Sequence, residues 1–198
     1  MVGDAPVTRV TIADGPGHRL GPGWVRGPDG VLSRRAARVV LVAPDDRVLL
    51  VRGHDADLPE RSWWFTVGGG IDEGESPHEA AVREVREETG IEIDVESLVG
   101  PVLRRSAVFD FVAEHCRQEE DLFLARLTGE QADASLSTSG WTDLERDVID
   151  ELRWFALDDL AAVDVEVFPA ALVDLLRPLL VRGWDGTTVV LREDGPTT

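Results

Sequence analysis

The stretch GGGIDEGESPHEAAVREVREETGI, Gly68 to Ile91, contains the strongest helix signal in the chain and decides how its neighbours are read. Ser76 is placed to act as N-cap, Pro77 suits the first helical position, and Glu79 completes a capping box three residues beyond the cap. Gly90 supplies a stop just past Thr89. Successive helical residues lie about 100° apart, which puts Ala81, Val82, Val85 and Thr89 on one side and predicts that side to be buried. On the same wheel Glu84, Glu87 and Glu88 stand at i, i+3 and i+4, so three carboxylates share one flank within a turn. Like charges at that spacing repel. A solvated acidic face is the ordinary fate of such a pattern. The alternative is a hard divalent cation among the three, since magnesium takes oxygen ligands.

Upstream, RAARVVLVAPDDRVLLVRG carries two β-branched runs, Ala37 to Ala43 and Arg47 to Arg52, joined by a Pro-Asp-Asp turn, and predicts a hairpin with a buried strand. WWFTVGGG then reads as a short strand ending in glycines. Downstream, IEIDV alternates like a strand, PVLRRSAVFDFV and DLFLARL are further strand candidates, and TGEQADASLSTSGWTDLE is a polar loop. DELRWFALDDLAAV looks like a strand turning into a helix, VFPAALVDLLRPLLVRG has helical apolar spacing, and TTVVL closes as a last strand. Strands interleaved with two helices define an α/β domain with a mixed β-sheet. Residues 1–35 are rich in glycine and proline, with a brief alternation over residues 7–12. They read as an N-terminal extension, either an extra strand or hairpin or a partly mobile arm, attached to a main domain spanning 36–198.

The charge balance narrows the partners. Of the 198 residues 38 are acidic and 20 basic, every base is arginine, and the net charge of −18 offers no basic footprint for a nucleic-acid polymer. A small phosphorylated ligand is compatible with it, because a bound divalent cation inverts the local field. Cys116 is the one cysteine, which excludes an internal disulfide and fits a reducing compartment. No basic start precedes an apolar run at the N-terminus, and no segment approaches the roughly 18 apolar residues of a membrane helix. A cytoplasmic protein without a membrane partner is expected.

With these residues in view, the chain resembles the Nudix hydrolase family. Its signature runs glycine, five residues, glutamate, seven residues, then Arg-Glu-apolar-x-Glu-Glu-x-Gly-apolar. Gly69, Glu75, Arg83, Glu84, Val85, Glu87, Glu88, Gly90 and Ile91 meet it at every offset. At average residue usages the fixed positions match by chance with a probability on the order of 10⁻⁶ for the whole chain. A looser resemblance extends over residues 36–182. Val67 departs from the proline that many relatives carry before the glycines, which touches the local turn and no chemical group.

The resemblance implies a Nudix-type α/β/α sandwich and hydrolysis of a nucleoside diphosphate linked to another moiety, with Mg²⁺ or Mn²⁺ as cofactor and a small nucleotide as substrate. It implies that Glu84, Glu87 and Glu88 are metal ligands, that one of them or a loop glutamate is the general base, and that Gly69 lends a backbone carbonyl to the metal. Arg83 is expected to pair with Glu75 or to orient a ligand carboxylate; a purely structural ion pair is the simpler reading. Glu145, in GWTDLE, resembles the loop base of some relatives, against a plain exposed charge. Glu119 and Glu120 are candidates for a further metal contact, against solvated turn residues. Trp63, Trp64, Phe65 and Trp141 are candidates for stacking on a base, with core packing the commoner fate of tryptophan. Arg52 and Arg104 or Arg105 are candidates for phosphate contacts, against ordinary surface positions. His54, His78 and His115 have no metal spacing. A homodimer contact through residues 1–35 is a further expectation. The competing functional reading is a catalytically inactive Nudix-fold nucleotide-binding or regulatory module, disfavoured because every box carboxylate is present.

Overall fold

Strand β2 (Leu32–Val42) is the one on which the sheet is assembled. It runs parallel to β6 (Glu114–Arg126) along its whole length, from Leu32 beside Cys116 to Val42 beside Arg126. Its middle, Ala36 to Val39, pairs antiparallel with β4 (Ser62–Gly70), and its end pairs with β3 (Val48–His54) across the predicted hairpin. With β5 (Val99–Phe111), β7 (Ile149–Phe155) and β9 (Val189–Glu193) the order across the sheet is β7-β3-β4-β2-β6-β5-β9. The two short strands β1 (Val25–Arg26) and β8 (Glu166–Phe168) pair with β2 and β4. The sheet is mixed because β2–β6, β4–β8 and β5–β9 are parallel and the remaining pairs antiparallel. This computed structural model describes residues 20, 23–111 and 114–193.

Side chains alternate across a strand, so each strand feeds two cores. Ala37, Val39 and Leu41 of β2 are fully buried beneath helix α1 (Pro77–Thr89), together with Ala80, Ala81 and Val85 of that helix. Val40 and Val42 point to the other face, where Leu172 and Leu176 of helix α4 (Leu172–Arg182) close the second core. Helix, mixed sheet and helix form an α/β/α sandwich, as expected from the pattern of elements. No helix among the described residues is long and apolar enough to cross a membrane.

Three expectations are revised. Ile91 and Ile93 are buried, yet residues 91–94 belong to no strand and lead into a 3-10 turn at Val95–Ser97. Their alternation serves contact with the α1-side core, and no strand among the described residues pairs with them. The polar loop after β6 contains two short helices, α2 (Gly129–Asp133) and α3 (Asp143–Val148), each opened by a threonine capping box. Strand β2 begins at Leu32, inside the stretch assigned to the extension, and Leu32 is buried with Leu20 and Cys116 against Trp24 and Phe109. The alternation at residues 7–12 lies outside the described residues.

Candidate active site

The glycines that end β4 are demanded by what approaches them. Gly68 has φ +128°, a conformation side chains rarely adopt, and a Cβ there would collide with the Ala37 carbonyl. Its N–H donates to Glu88 Oε2 at 2.8 Å. At Gly69 a Cβ would lie 2.7 Å from both oxygens of Glu84. Gly69 therefore lets Glu84 come down onto the end of β4, while Gly68 is required by the β2 backbone beside it and holds Glu88 through its N–H. Helix α1 starts as its sequence requires: Ser76 Oγ accepts from the Glu79 N–H, Glu79 returns the bond to the Ser76 N–H, and Gly90 caps the far end in the left-handed region.

Arg83 ties the β4–α1 connection to the helix. Its Nε and Nη2 hold the two oxygens of Glu75 at 2.9 Å each, Nη2 reaches the Gly70 carbonyl at 2.8 Å, and Nη1 donates to Glu84 at 2.8 Å and Glu87 at 3.0 Å. The guanidinium fork thus pairs with Glu75 and also holds Glu84. These bonds hold the Glu75 carboxyl below the usual carboxylate range and raise the arginine's own pKa.

The long loop after β6 brings Glu145 to the same place. One carboxylate oxygen from each of Glu84, Glu88 and Glu145 lies within 4.8 Å of the others. Glu145 is the third residue of α3, and its Oε2 accepts from the N–H and Oγ of Thr142 at 2.7 Å each. Glu87 stands apart from this trio, its side chain 39% exposed and bound to Arg83. Of the three box glutamates, two point inward and one faces out, because i and i+4 stack on one line while i+3 lies to the side.

Burying these acids has an electrostatic cost that the protein alone does not offset. Glu84 and Glu88 are 6% and 3% exposed. Burial pushes the Glu84 carboxyl up against the pull of Arg83. For Glu88 burial, helped by the neighbouring Glu84 charge, raises the value to about 8, against the opposing Arg38 and Gly68 N–H. Two buried carboxylates and a third beside them, all oxygen donors and short of positive charge, match what a hard divalent cation such as Mg²⁺ or Mn²⁺ selects. By this test of donor chemistry Glu84, Glu88 and Glu145 fit the metal expected of the sequence.

Glu120 is not among the three converging acids. It sits on β6 beside Ala36, and its oxygens are engaged by Arg38 Nε at 3.3 Å, Arg105 Nη1 at 2.8 Å and Gln118 Nε2 at 2.5 Å. Burial opposes its ionisation, but the two guanidiniums outweigh that and hold its carboxyl below the ordinary range. Of the carboxylates expected at a metal, Glu87 and the further candidate Glu120 are outside the converging group, and Glu145, expected as a loop base, is within it. Glu119 accepts from Ser106 Oγ at 2.7 Å on the exposed side of the strand.

Arg38 escaped the sequence reading. It bridges Glu120 to the Thr66 and Gly68 carbonyls and lies over the Phe65 ring at 5.4 Å. A charged residue inside the apolar run RAARVVLV was the available signal, since a buried charge requires partners. Phe65 and Trp141 pack at the margin of the α1-side core, and the Trp141 indole N–H donates to the Glu88 carbonyl at 2.9 Å. Trp63 lies under Arg61 at 5.7 Å. Arg52 donates to Ser62 Oγ at 3.2 Å, and its Nε is buried without a hydrogen-bond partner among the described residues. Arg104 pairs with Asp121, and Arg105 is committed to Glu120 and Glu193.

A glycine-ended strand, an acid-bearing helix and a loop glutamate thus converge on one point. The family model of the NUDIX domain matches residues 32–176, and the chain belongs to the Nudix family. An RNA pyrophosphohydrolase of Caulobacter vibrioides (strain NA1000 / CB15N) is 37% identical over 131 residues, covering 61% of this chain and 70% of that protein. A provisionally named 8-oxo-dGTP diphosphatase of Bacillus subtilis (strain 168) is 36% identical over 98 residues, covering 50% of this chain and 56% of that protein, so the chain spans about half the length of that relative. Among solved structures, a C. elegans Ap4A hydrolase complex aligns with TM-score 0.52 at 19% identity, covering 75% of this chain and 98% of that one. A MutT protein from Bacillus halodurans aligns with TM-score 0.52 at 22% identity, covering 80% and 89%. At those identities the likeness is one of fold.

Proposed function

We propose that this protein hydrolyses a phosphoanhydride bond in a nucleoside diphosphate joined to another group, using a divalent cation held by Glu84, Glu88 and Glu145. The observation that carries the reading is the convergence of those three carboxylates from a helix and a separate loop, two of them buried and undercompensated. When bound, Mg²⁺ or Mn²⁺ neutralises phosphate oxygens and makes water a nucleophile at neutral pH. The chain's own residues set the geometry. Gly69 admits Glu84, the Gly68 N–H holds Glu88, and Arg83 fixes the helix against the loop beneath it. Glu145 offers Oε1, the oxygen not engaged by Thr142, to the cation, and one of the box glutamates takes the proton from the attacking water. The water oxygen bonds to phosphorus, the anhydride P–O bond breaks, and its electron pair leaves with the departing phosphate.

Relatives named for action on RNA and on 8-oxo-dGTP support a nucleotide-derived substrate. The net charge of −18 favours a small nucleotide over an RNA chain, because a polyanion gains little counterion release on an acidic surface. The test is a panel of nucleoside diphosphate derivatives, including a nucleotide sugar, ADP-ribose and a dinucleoside polyphosphate, scored for release of phosphate or nucleoside monophosphate with Mg²⁺ or Mn²⁺. Metal-dependent release from at least one member, lost in Glu88→Gln, is expected. Nucleotide binding without turnover across the panel contradicts the reading and supports a binding module.

A further inference from the structure

We infer that Trp141 and Gly140 are positioning residues that clamp the Glu145 loop onto the C-terminal end of α1, so that the helix carrying Glu84 and Glu88 also dictates where Glu145 stands. The inference rests on the metal-site reading above. It starts from a requirement of the helix: the last carbonyls of α1 have no partner within it and must find donors elsewhere. The Gly90 N–H takes the Arg86 carbonyl. Two further partners come from the loop between α2 and α3. The Ser137 N–H donates to the Thr89 carbonyl at 2.8 Å, and the Trp141 indole N–H donates to the Glu88 carbonyl at 2.9 Å. Gly140 lies against Glu87 so closely that a Cβ would sit 2.5 Å from its carbonyl oxygen and 2.8 Å from its Cα.

The clamp is continuous with the acid. Trp141 packs its ring against the α1-side core, Thr142 follows as N-cap of α3, and Glu145 is the residue whose Oε2 closes that cap. Loops are ordinarily the mobile parts of a fold, and a carboxylate displaced by about 1 Å from its productive place loses up to two orders of magnitude in rate. Glu88 therefore takes part twice: its carboxylate belongs to the trio, and its backbone carbonyl holds the loop that supplies the third member.

A double-mutant cycle between Trp141→Phe and Glu145→Gln tests this, with Mn²⁺ affinity followed by electron paramagnetic resonance and kcat and KM measured alongside. Phenylalanine keeps an aromatic ring in the core and deletes the N–H. Trp141→Phe is expected to weaken Mn²⁺ binding and lower kcat on the order of tenfold with little change in KM. In the Glu145→Gln background it should change either quantity by less than about twofold, because residues that act through one another are not additive. Gly140→Ala, which pushes the loop off Glu87, should behave as Trp141→Phe does and replaces it should that variant fail to fold. Unchanged Mn²⁺ affinity and kcat in the folded variant, or a loss that adds in full to that of Glu145→Gln, overturns this inference alone. Absence of Mn²⁺ uptake by the unaltered protein overturns the metal-site reading with it.

Discussion

The carboxylate of Glu84 occupies the space that a side chain on Gly69 would need: a Cβ built there lies 2.7 Å from both of its oxygens. The glycine and the acid are two halves of one device, a strand end pared down to backbone so that a helix can set an acid on it. Gly69→Ala is expected to displace Glu84 and to lower metal-dependent turnover by about two orders of magnitude, while the thermal midpoint falls by only a few degrees. Steady-state kinetics and a melting curve on the same preparation check it.

Arg83 makes five hydrogen bonds to four groups, and lysine cannot reproduce that fork. Arg83→Ala leaves Glu84 buried without its nearest cation and should cost about 3 kcal/mol in urea unfolding. Arg83→Lys should recover part of the stability and little of the activity, since one ammonium cannot hold Glu75 and Glu84 in their present geometry.

Glu88 makes the metal-free protein sensitive to pH in a definite direction. Its carboxyl is raised to about 8 when folded, against an ordinary value of 4.5, so the folded state binds the extra proton between those limits. Its contribution to stability is present below pH 4.5 and is lost as pH rises through about 8, where the buried group must ionise. Without metal, unfolding free energy should therefore decline over that window; with saturating Mg²⁺ the decline should shrink, because the cation replaces the proton. Glu88→Gln should flatten the metal-free profile. Denaturant titrations at several pH values, with and without Mg²⁺, measure this.

Glu120 provides the contrast. It is a buried acid whose charge is met by Arg38 and Arg105 rather than by a site for an added cation. Glu120→Gln is expected to destabilise the fold by about 3 kcal/mol while leaving Mn²⁺ affinity within about twofold of the unaltered protein. A large loss of Mn²⁺ affinity would return Glu120 to the metal site.

What the sequence disclosed and what it concealed divide along local and long-range lines. The capping box, the glycine stop and the acidic flank of α1 were legible because each is written within a few residues of its partner. The hairpin of β2 and β3 was legible from its turn and its β-branched runs. Ile91 to Val95 misled because alternating burial needs only a core on one side, whereas a strand also needs a neighbour to pair with. The separation of Glu87 from Glu84 and Glu88 depends on Arg83 and on how α1 rolls against β4, which the helical wheel does not contain. Glu120 and Glu145 could not be ranked from spacing, since one lies on β6 beside two arginines and the other is delivered by a loop folded onto the end of α1. That Gly140 must be glycine has no local signal at all: the reason is the backbone of Glu87, far away in the chain.

The most direct check is the rate of phosphoanhydride cleavage as Mg²⁺ is titrated against the most rapidly cleaved member of the nucleotide panel, for the unaltered protein and for Glu84→Gln, Glu88→Gln, Glu145→Gln and Glu120→Gln. The trio predicts saturable activation by Mg²⁺ in the unaltered protein and in Glu120→Gln, and losses of at least about a hundredfold in the other three. Cleavage that survives chelation of the metal, or that disappears with Glu120 while persisting without Glu88, contradicts it.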